Sequence, residues 1–302
     1  SDDRPWILGF SGGKDSTCMA QLVRNAVSQL EQEQRKKQIY IIGCDTLVES
    51  PKIVERLKNT LSDMQGQAKE QQLPISTHVV KPDLGDTFWV LLLGKGYPAP
   101  SNSFRWCTER LKIKNADRFI LDTVSKFGEA IVLLGTRKDE SQTRQQLMEL
   151  YEIKGSILNR HSKFAQTYMY CPLKDFLTDD VWNYLLQNKN PWGGSNRDLL
   201  AMYQEANAAE CPLVVDTSTP SCGNSRFGCW TCTVVARDKA MDGLLEGGED
   251  WLEPLAEIRE ELKRTQEPEV KLLVRDHKRR NGKVMFTWGG DEQTSSGPYT
   301  LE

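Results

Sequence analysis

One junction near the start constrains the fold more than any other stretch. An apolar run, Trp6-Ile7-Leu8-Gly9-Phe10, passes through Ser11-Gly12-Gly13-Lys14-Asp15-Ser16 into a segment where Cys18, Met19, Leu22, Val23, Ala26, Val27 and Leu30 recur at helical spacing. A strand that turns through glycines onto a helix leaves unpaired backbone N–H groups aimed at whatever lies beyond the strand end. Such an end suits an anion, phosphate above all. Gly12 and Gly13 let the backbone approach closely, and Lys14 adds a point charge. The stretch does not fit the G-x-x-x-x-G-K-[ST] loop, because the spacing before Lys14 is one residue short.

Strand-like and helix-like segments continue to alternate along the first half of the chain. Strands are predicted at Trp6–Phe10, Ile39–Cys44, Ile75–Val80 and Ala130–Gly135, with helices at Asp15–Leu30, Pro51–Gln72 and Asn115–Lys126. The strands are near-continuous apolar runs, as expected when both faces are covered. The fold class is therefore α/β, a parallel twisted sheet with helices on both faces. Ligands in such sheets bind beyond the C-terminal strand ends. The glycine loop, Asp45-Thr46 and Gly135-Thr136-Arg137 each follow a strand and are expected to converge there.

From about residue 186 the pattern changes. A loop at Asn190–Asn196, short helices at Arg197–Ala208 and Trp251–Thr265, and Gly-rich polar tails replace the alternation. The division expected is a nucleotide-binding α/β domain over residues 1–185 and a cysteine-bearing region over 186–302.

Composition narrows the classes. No apolar run approaches the roughly 20 residues of a membrane span, so no membrane partner is expected. The longest, Phe88 to Leu93, has the length of a core helix or strand. A net charge of −3 does not mark a self-sufficient nucleic-acid binder, although basic runs occur at Arg110–Lys114, Arg137–Lys138 and Lys278–Arg280. Each run is as readily a solvated face. Eight cysteines and no leader-like start point to a reducing compartment, with cytoplasmic location expected.

Four of those cysteines crowd together. Cys211, Cys222, Cys229 and Cys232 have the spacing C-x10-C-x6-C-x2-C, and Cys229-x-x-Cys232 is a chelating turn. Spacing leaves zinc and an iron–sulfur cluster equally open. Arg105-Trp106-Cys107-Thr108-Glu109-Arg110-Leu111-Lys112 sets cations around one thiol, which favours thiolate and makes Cys107 a candidate sulfur carrier. Arg137 and Arg144, just past the fourth strand, can clamp phosphate oxygens in bidentate fashion. Asp45 and Thr46 can hold a ribose, an amino group or a magnesium-bound water. Cys18 reads as core rather than reactive, Cys44 and Cys171 as strand residues, and the three histidines as structural or exposed.

Five segments in this order, SGGKDS, DTLVESP, RWCTERLK, GTRKDES-QTR and Cys171-Pro172-Leu173 with Asp179-Asp180-Val181-Trp182, resemble the phosphoadenosine phosphosulfate reductase branch of the adenine-nucleotide α-hydrolase fold. Ser11, Gly12, Gly13, Lys14, Asp15 and Ser16 correspond to that family's pyrophosphate loop. The cysteine segment from Cys211-Pro212-Leu213 through Cys232 is similar to that of DNA phosphorothioation sulfurtransferases. The resemblance implies ATP cleaved to AMP and pyrophosphate, Mg2+, and a 4Fe–4S cluster on Cys211, Cys222, Cys229 and Cys232. It gives catalytic weight to Lys14, Asp15 and Cys107, and a nucleotide-binding role to Asp45, Thr46, Gly135, Arg137 and Arg144. It also implies a cysteine desulfurase as sulfur donor, further phosphorothioation subunits and a DNA substrate. Phosphoadenosine phosphosulfate reduction and tRNA thiolation are the rival activities, and a non-catalytic DNA-binding or assembly module is the rival outside enzymes. The reductases use an E-C-G-x-H segment, which is not seen after Cys232.

Overall fold

The computed structural model describes residues 3–206, 228–284, 286 and 296–300. Cys211 and Cys222 lie outside the described residues, as does Phe227. The chain forms two compact units interleaved in sequence, one from residues 1–44, 51–80 and 115–226, the other from 45–50, 81–114 and 227–302.

The first unit is built on a six-stranded sheet. Its strands are β1 (Trp6–Phe10), β2 (Ile39–Cys44), β3 (Ile75–Val80), β4 (Ala130–Leu133), β5 (Asn159–Arg160) and β6 (Thr167–Tyr170), in the order β3-β2-β1-β4-β6-β5. All neighbours are parallel except β5, which runs antiparallel to β6. The chain winds outward from β1 to β2 and β3, then returns to β1's other side with β4. That reversal opens a crevice at the C-terminal ends of β1 and β4, where ligands of such sheets bind. The parallel α/β sheet read from the sequence is thus observed.

Helices α1 (Lys14–Ser28), α2 (Pro51–Glu70), α3 (Lys114–Phe127), α4 (Gln142–Leu150), α5 (Thr178–Gln187) and α6 (Asn196–Ala206) follow in chain order. Successive strand residues face opposite sides. In β1, Leu8 and Phe10 join a large cluster with Met19, Leu57, Leu61 and Trp182, whereas Ile7 joins Ile42, Ile120 and Val132 in a second. Each fully buried side chain of this kind contributes about 1.5–3 kcal/mol. One buried polar knot ties three helices: Gln21 Nε2 donates to Asn196 Oδ1 at 2.8 Å, and Asn196 Nδ2 donates to the carbonyls of Leu185 (2.8 Å) and Asn188 (3.1 Å).

The second unit packs Val48, Phe88, Leu91, Leu92, Trp106, Leu111 and Leu262 into its main core, with a smaller one of Trp230, Met241 and Leu252. Its helices are α7 (Lys239–Glu246), α8 (Glu253–Arg264) and α9 (Pro268–Val274). The Phe88–Leu93 run forms neither a strand nor a regular α-helix: it enters a π-helical turn, Val90–Gly94, that buries Leu91 and Leu92 and leaves Leu93 68% exposed. A second π-turn, Thr108–Ile113, leads into α3, so helical structure begins ahead of the Asn115 start expected. Cys44 is a strand residue as expected, while Cys171 sits one position past β6. Among the described residues no helix is long and apolar enough to cross a membrane.

Candidate functional site

In the first unit the glycine loop lies between β1 and α1, as its sequence demands. Gly12 takes φ +75°, a left-handed conformation that side chains rarely adopt. Ser11 and Ser16 brace the turn. The Ser11 N–H donates to Ser16 Oγ at 3.3 Å, Ser16 Oγ donates to the Gly13 carbonyl at 3.0 Å, and the two hydroxyls stand 3.2 Å apart. Gly13, at the N-cap, has no side chain to cap α1, and of the amides at the loop the Gly13 N–H donates to Ser11 Oγ at 3.4 Å and the Lys14 N–H to the Tyr203 hydroxyl.

The charges are organised around Asp15. Its Oδ2 lies 2.9 Å from Lys14 Nζ, and its Oδ1 accepts from Arg137 Nε at 2.8 Å. Arg137 is only 2% exposed. Its Nη1 donates to Asp139 Oδ2 (3.0 Å) and the Phe176 carbonyl (3.2 Å), and its Nη2 donates to Thr178 Oγ1 (3.1 Å). In this structure the guanidinium therefore positions Asp15 and stitches β4 to the start of α5. Arg144, at the head of α4, pairs with Glu140 at 3.2 Å, whose carboxylate also accepts the Arg137 N–H.

Gly135 has a packing reason to be glycine. A Cβ there would stand 2.8 Å from the Asp15 carbonyl oxygen and 3.1 Å from the Ser16 nitrogen. The end of β4 thus presses directly on the first turn of α1. Sequence reading did not find Tyr203. From α6 its hydroxyl accepts the Lys14 N–H at 3.3 Å, its ring lies 5.7 Å from Lys14 Nζ, and it packs edge-on against Trp182. No motif marks it; only the tertiary fold brings α6 to the loop.

Cys18 is fully buried, as expected. Burial, then the neighbouring Asp15 charge, pushes its thiol up to about 12. Cys171 is likewise raised by burial, with its Sγ 3.2 Å from Thr136 Oγ1.

Asp45 and Thr46 belong to the second unit. Asp45, 2% exposed, accepts the Leu47 N–H at 2.9 Å and so shapes a tight turn in which Leu47 takes φ +64°. Thr46 Oγ1 lies 3.5 Å from Cys229 Sγ, and Cys229 Sγ lies 3.6 Å from Glu49 Oε1. Glu49 also pairs with Lys112 Nζ at 2.8 Å. Residues Glu49 and Cys229 form an antiparallel bridge, and the Trp230 N–H donates to the Val48 carbonyl. Cys229 and Cys232 close a turn in which the Cys232 N–H donates to the Cys229 carbonyl at 3.0 Å. Buried Arg259 holds the next stretch by donating to the carbonyls of Cys232 (2.9 Å) and Val235 (2.8 Å).

Burial holds two thiols of this unit, Cys107 and Cys229, above their ordinary range. Burial, followed by Glu49, pushes Cys229 up to about 12. Cys107 is raised as well, first by burial and then by Cys232, and Lys112 is the weakest of the influences pulling it down. This corrects the expectation that three flanking cations activate Cys107. Arg110 is engaged with Asp86 and Lys112 with Glu49, so their charge is shared with carboxylates. Among the described residues no group of three or more His, Cys, Asp or Glu side chains could hold a metal ion. Cys229 and Cys232 are the described half of the four cysteines expected to hold a cluster.

The family model for the phosphoadenosine phosphosulfate reductase domain matches residues 5–235. An uncharacterized protein of Methanocaldococcus jannaschii is 26% identical over 189 residues, 63% of this chain and 33% of that protein, so the chain spans about a third of that relative's length. Two solved structures are similar at low scores. Phosphoadenylyl-sulfate reductase from Candida auris, in a phosphate complex, is 15% identical, with 66% of this chain and 78% of that one covered and a TM-score of 0.37. The U34-tRNA thiolase NcsA from Methanococcus maripaludis, with its 4Fe–4S cluster, is 12% identical, with 90% and 74% covered and a TM-score of 0.36.

Proposed function

The chain belongs to the phosphoadenosine phosphosulfate reductase domain family, and from that membership we propose that it is an ATP-cleaving sulfurtransferase acting on the DNA backbone, of the DndC type. The observation that carries the nucleotide half is the loop: Gly12 in a left-handed turn, the N-terminus of α1 capped by a glycine without a side chain, and the Lys14 ammonium beside it.

The chemistry needs activation first. Oxide does not leave a phosphodiester, so a non-bridging oxygen must become part of a better leaving group. Attack of that oxygen on the α-phosphorus of ATP expels pyrophosphate and leaves the diester adenylated. Hydrosulfide, freed from a cysteine desulfurase's persulfide by two electrons from a thiol reductant, then attacks the diester phosphorus and expels AMP. Ser11, Gly12, Gly13, Lys14 and Ser16 would hold the departing pyrophosphate, with Mg2+ held mostly by phosphate oxygens and water. Asp15, fixed between Lys14 and Arg137, would orient the ammonium. Cys107 would lose its proton and attack the outer sulfur of the desulfurase's persulfide, expelling the desulfurase thiolate. A thiol reductant would then release that sulfur as hydrosulfide, leaving Cys107 as the thiol again. Burial, which raises the Cys107 thiol, makes the proton loss the demanding part. A 4Fe–4S cluster on Cys211, Cys222, Cys229 and Cys232 would supply sulfur- or electron-handling chemistry. Other phosphorothioation subunits would share the DNA, in keeping with a net charge of −3.

Anaerobically purified full-length chain, assayed with ATP, Mg2+, DNA and sulfide, tests this. The expected products are AMP and pyrophosphate, lost in Lys14→Ala. Orthophosphate release, or reduction of phosphoadenosine phosphosulfate without ATP cleavage, overturns the reading.

A further inference from the structure

We infer that the second unit carries a single-stranded nucleic-acid platform whose outer rung is Phe104, an inference that rests on the proposed action on a nucleic-acid backbone. Four aromatic rings run from the core toward the surface. Phe88, 1% exposed, stacks on Trp106 with centroids 5.4 Å apart and planes 26° apart. Trp106 meets Tyr97 edge-on at 5.3 Å, and Tyr97 stacks with Phe104 at 6.4 Å and 14°. Phe104 ends the ladder and is 46% exposed. A ring this exposed is ordinarily free to turn, but this one is braced by a stack anchored in the interior. A Trp106 Nε1 bond to the Pro98 carbonyl, 2.8 Å long, fixes the ladder's middle.

Cations flank the ladder. The Arg280 guanidinium lies over the Tyr97 ring, 4.8 Å from its centroid. Arg280 sits in a tight turn closed by Arg279 N–H to Lys283 O and Gly282 N–H to Arg279 O, both 2.8 Å. The turn His277-Lys278-Arg279-Arg280-Asn281-Gly282-Lys283 is exposed and braced at its start by Asp276, whose Oδ1 accepts the Lys278 N–H at 2.9 Å and lies 3.1 Å from His277 Nδ1, while the ladder segment from Lys95 to Thr108 contains no carboxylate. In a chain with a net charge of −3, that is a local concentration against the average. One exposed, braced aromatic ring beside a basic turn suits an unpaired base and its phosphates, because every base has a π-face and duplexes hide theirs.

The placement ties the platform to the sulfur chemistry. Phe104 and Cys107 are three Cα steps apart, at most about 11 Å. With strand phosphates advancing about 3.4 Å each along the axis of a stacked helix, that span corresponds to about three nucleotides between a base on Phe104 and Cys107.

Fluorescein-labelled 12-mers of single-stranded DNA, single-stranded RNA and duplex DNA, titrated with the full chain without ATP, test this by anisotropy. Binding tighter to a single strand than to duplex, weakened about tenfold or more by Phe104→Ala and restored by Phe104→Trp, supports the platform. Arg280→Gln with Lys283→Gln should flatten the salt dependence. A DNA or RNA preference identifies the strand. Equal binding of duplex and single strand, or Phe104→Ala binding as wild type with an unchanged melting curve, overturns it. Pyrophosphate release by the wild-type chain is read separately, so a failed platform leaves the ATP chemistry standing, and the reverse.

Discussion

Replacing Arg137 separates two roles that look alike in sequence. The guanidinium makes four hydrogen bonds to Asp15, Asp139, the Phe176 carbonyl and Thr178, from a position 2% exposed. Breaking a buried charge pair costs about 3–5 kcal/mol. In this case the carboxylates of Asp15 and Asp139 are 23% and 32% exposed and regain some hydration, so Arg137→Met should cost about 2–4 kcal/mol. At about 2–4 °C per kcal/mol for a unit of this size, melting should fall by about 4–16 °C. Arg137→Lys should recover only part, since one ammonium cannot reach the same four partners. Thermal and urea unfolding measure the loss, and a double cycle with Asp15→Asn should show coupling of about 0.5–3 kcal/mol. Nucleotide affinity should fall in step with stability across the series. If Arg137→Met melts like wild type, or Arg137→Lys keeps stability and loses only affinity, the guanidinium reaches ligand and does not organise Asp15.

Gly135→Ala should force the end of β4 away from α1, because the new Cβ would meet backbone atoms of Asp15 and Ser16 at 2.8–3.1 Å; about 1–3 kcal/mol of destabilisation, with weakened ATP binding by calorimetry, is expected. Cys18 titrates at about 12 in the fold against 9.0 when exposed. The folded state therefore keeps its proton where the unfolded chain loses it, so stability is full below pH 9 and falls between pH 9 and 12. Cys18→Ala should flatten that fall by up to about 1.4 kcal/mol per pH unit, read from urea midpoints measured between pH 8 and pH 10.5.

How far the sequence disclosed all this depends on the range of the interactions. The first three strands were read to the residue, because parallel strands buried on both faces are continuous apolar runs bounded by polar or glycine turns. The loop was readable because its glycines and lysine are adjacent. Arg137 was found, but its direction was not: its partners Asp15 and Thr178 lie 122 and 41 positions away. Cys107 failed similarly. Local charge suggested activation, while its environment is set by burial and by Cys232, 125 positions on. Tyr203 carries no local signal, since an aromatic residue on an amphipathic helix ordinarily packs in a core.

The interleaving of the two units has a consequence for biosynthesis. The second unit's apolar centre joins Phe88, Leu91 and Leu111 to Leu262. A ribosome adding about 5–20 residues per second delivers Leu262 roughly 8–30 s after Leu111, since 262 − 111 = 151 positions separate them. For that interval the early half of the centre waits without its closing partner, while β4, β5 and β6 are made and the sheet is completed. The nascent chain should therefore pass through a state with a finished sheet and an uncovered oily flank, a natural client for a holding chaperone.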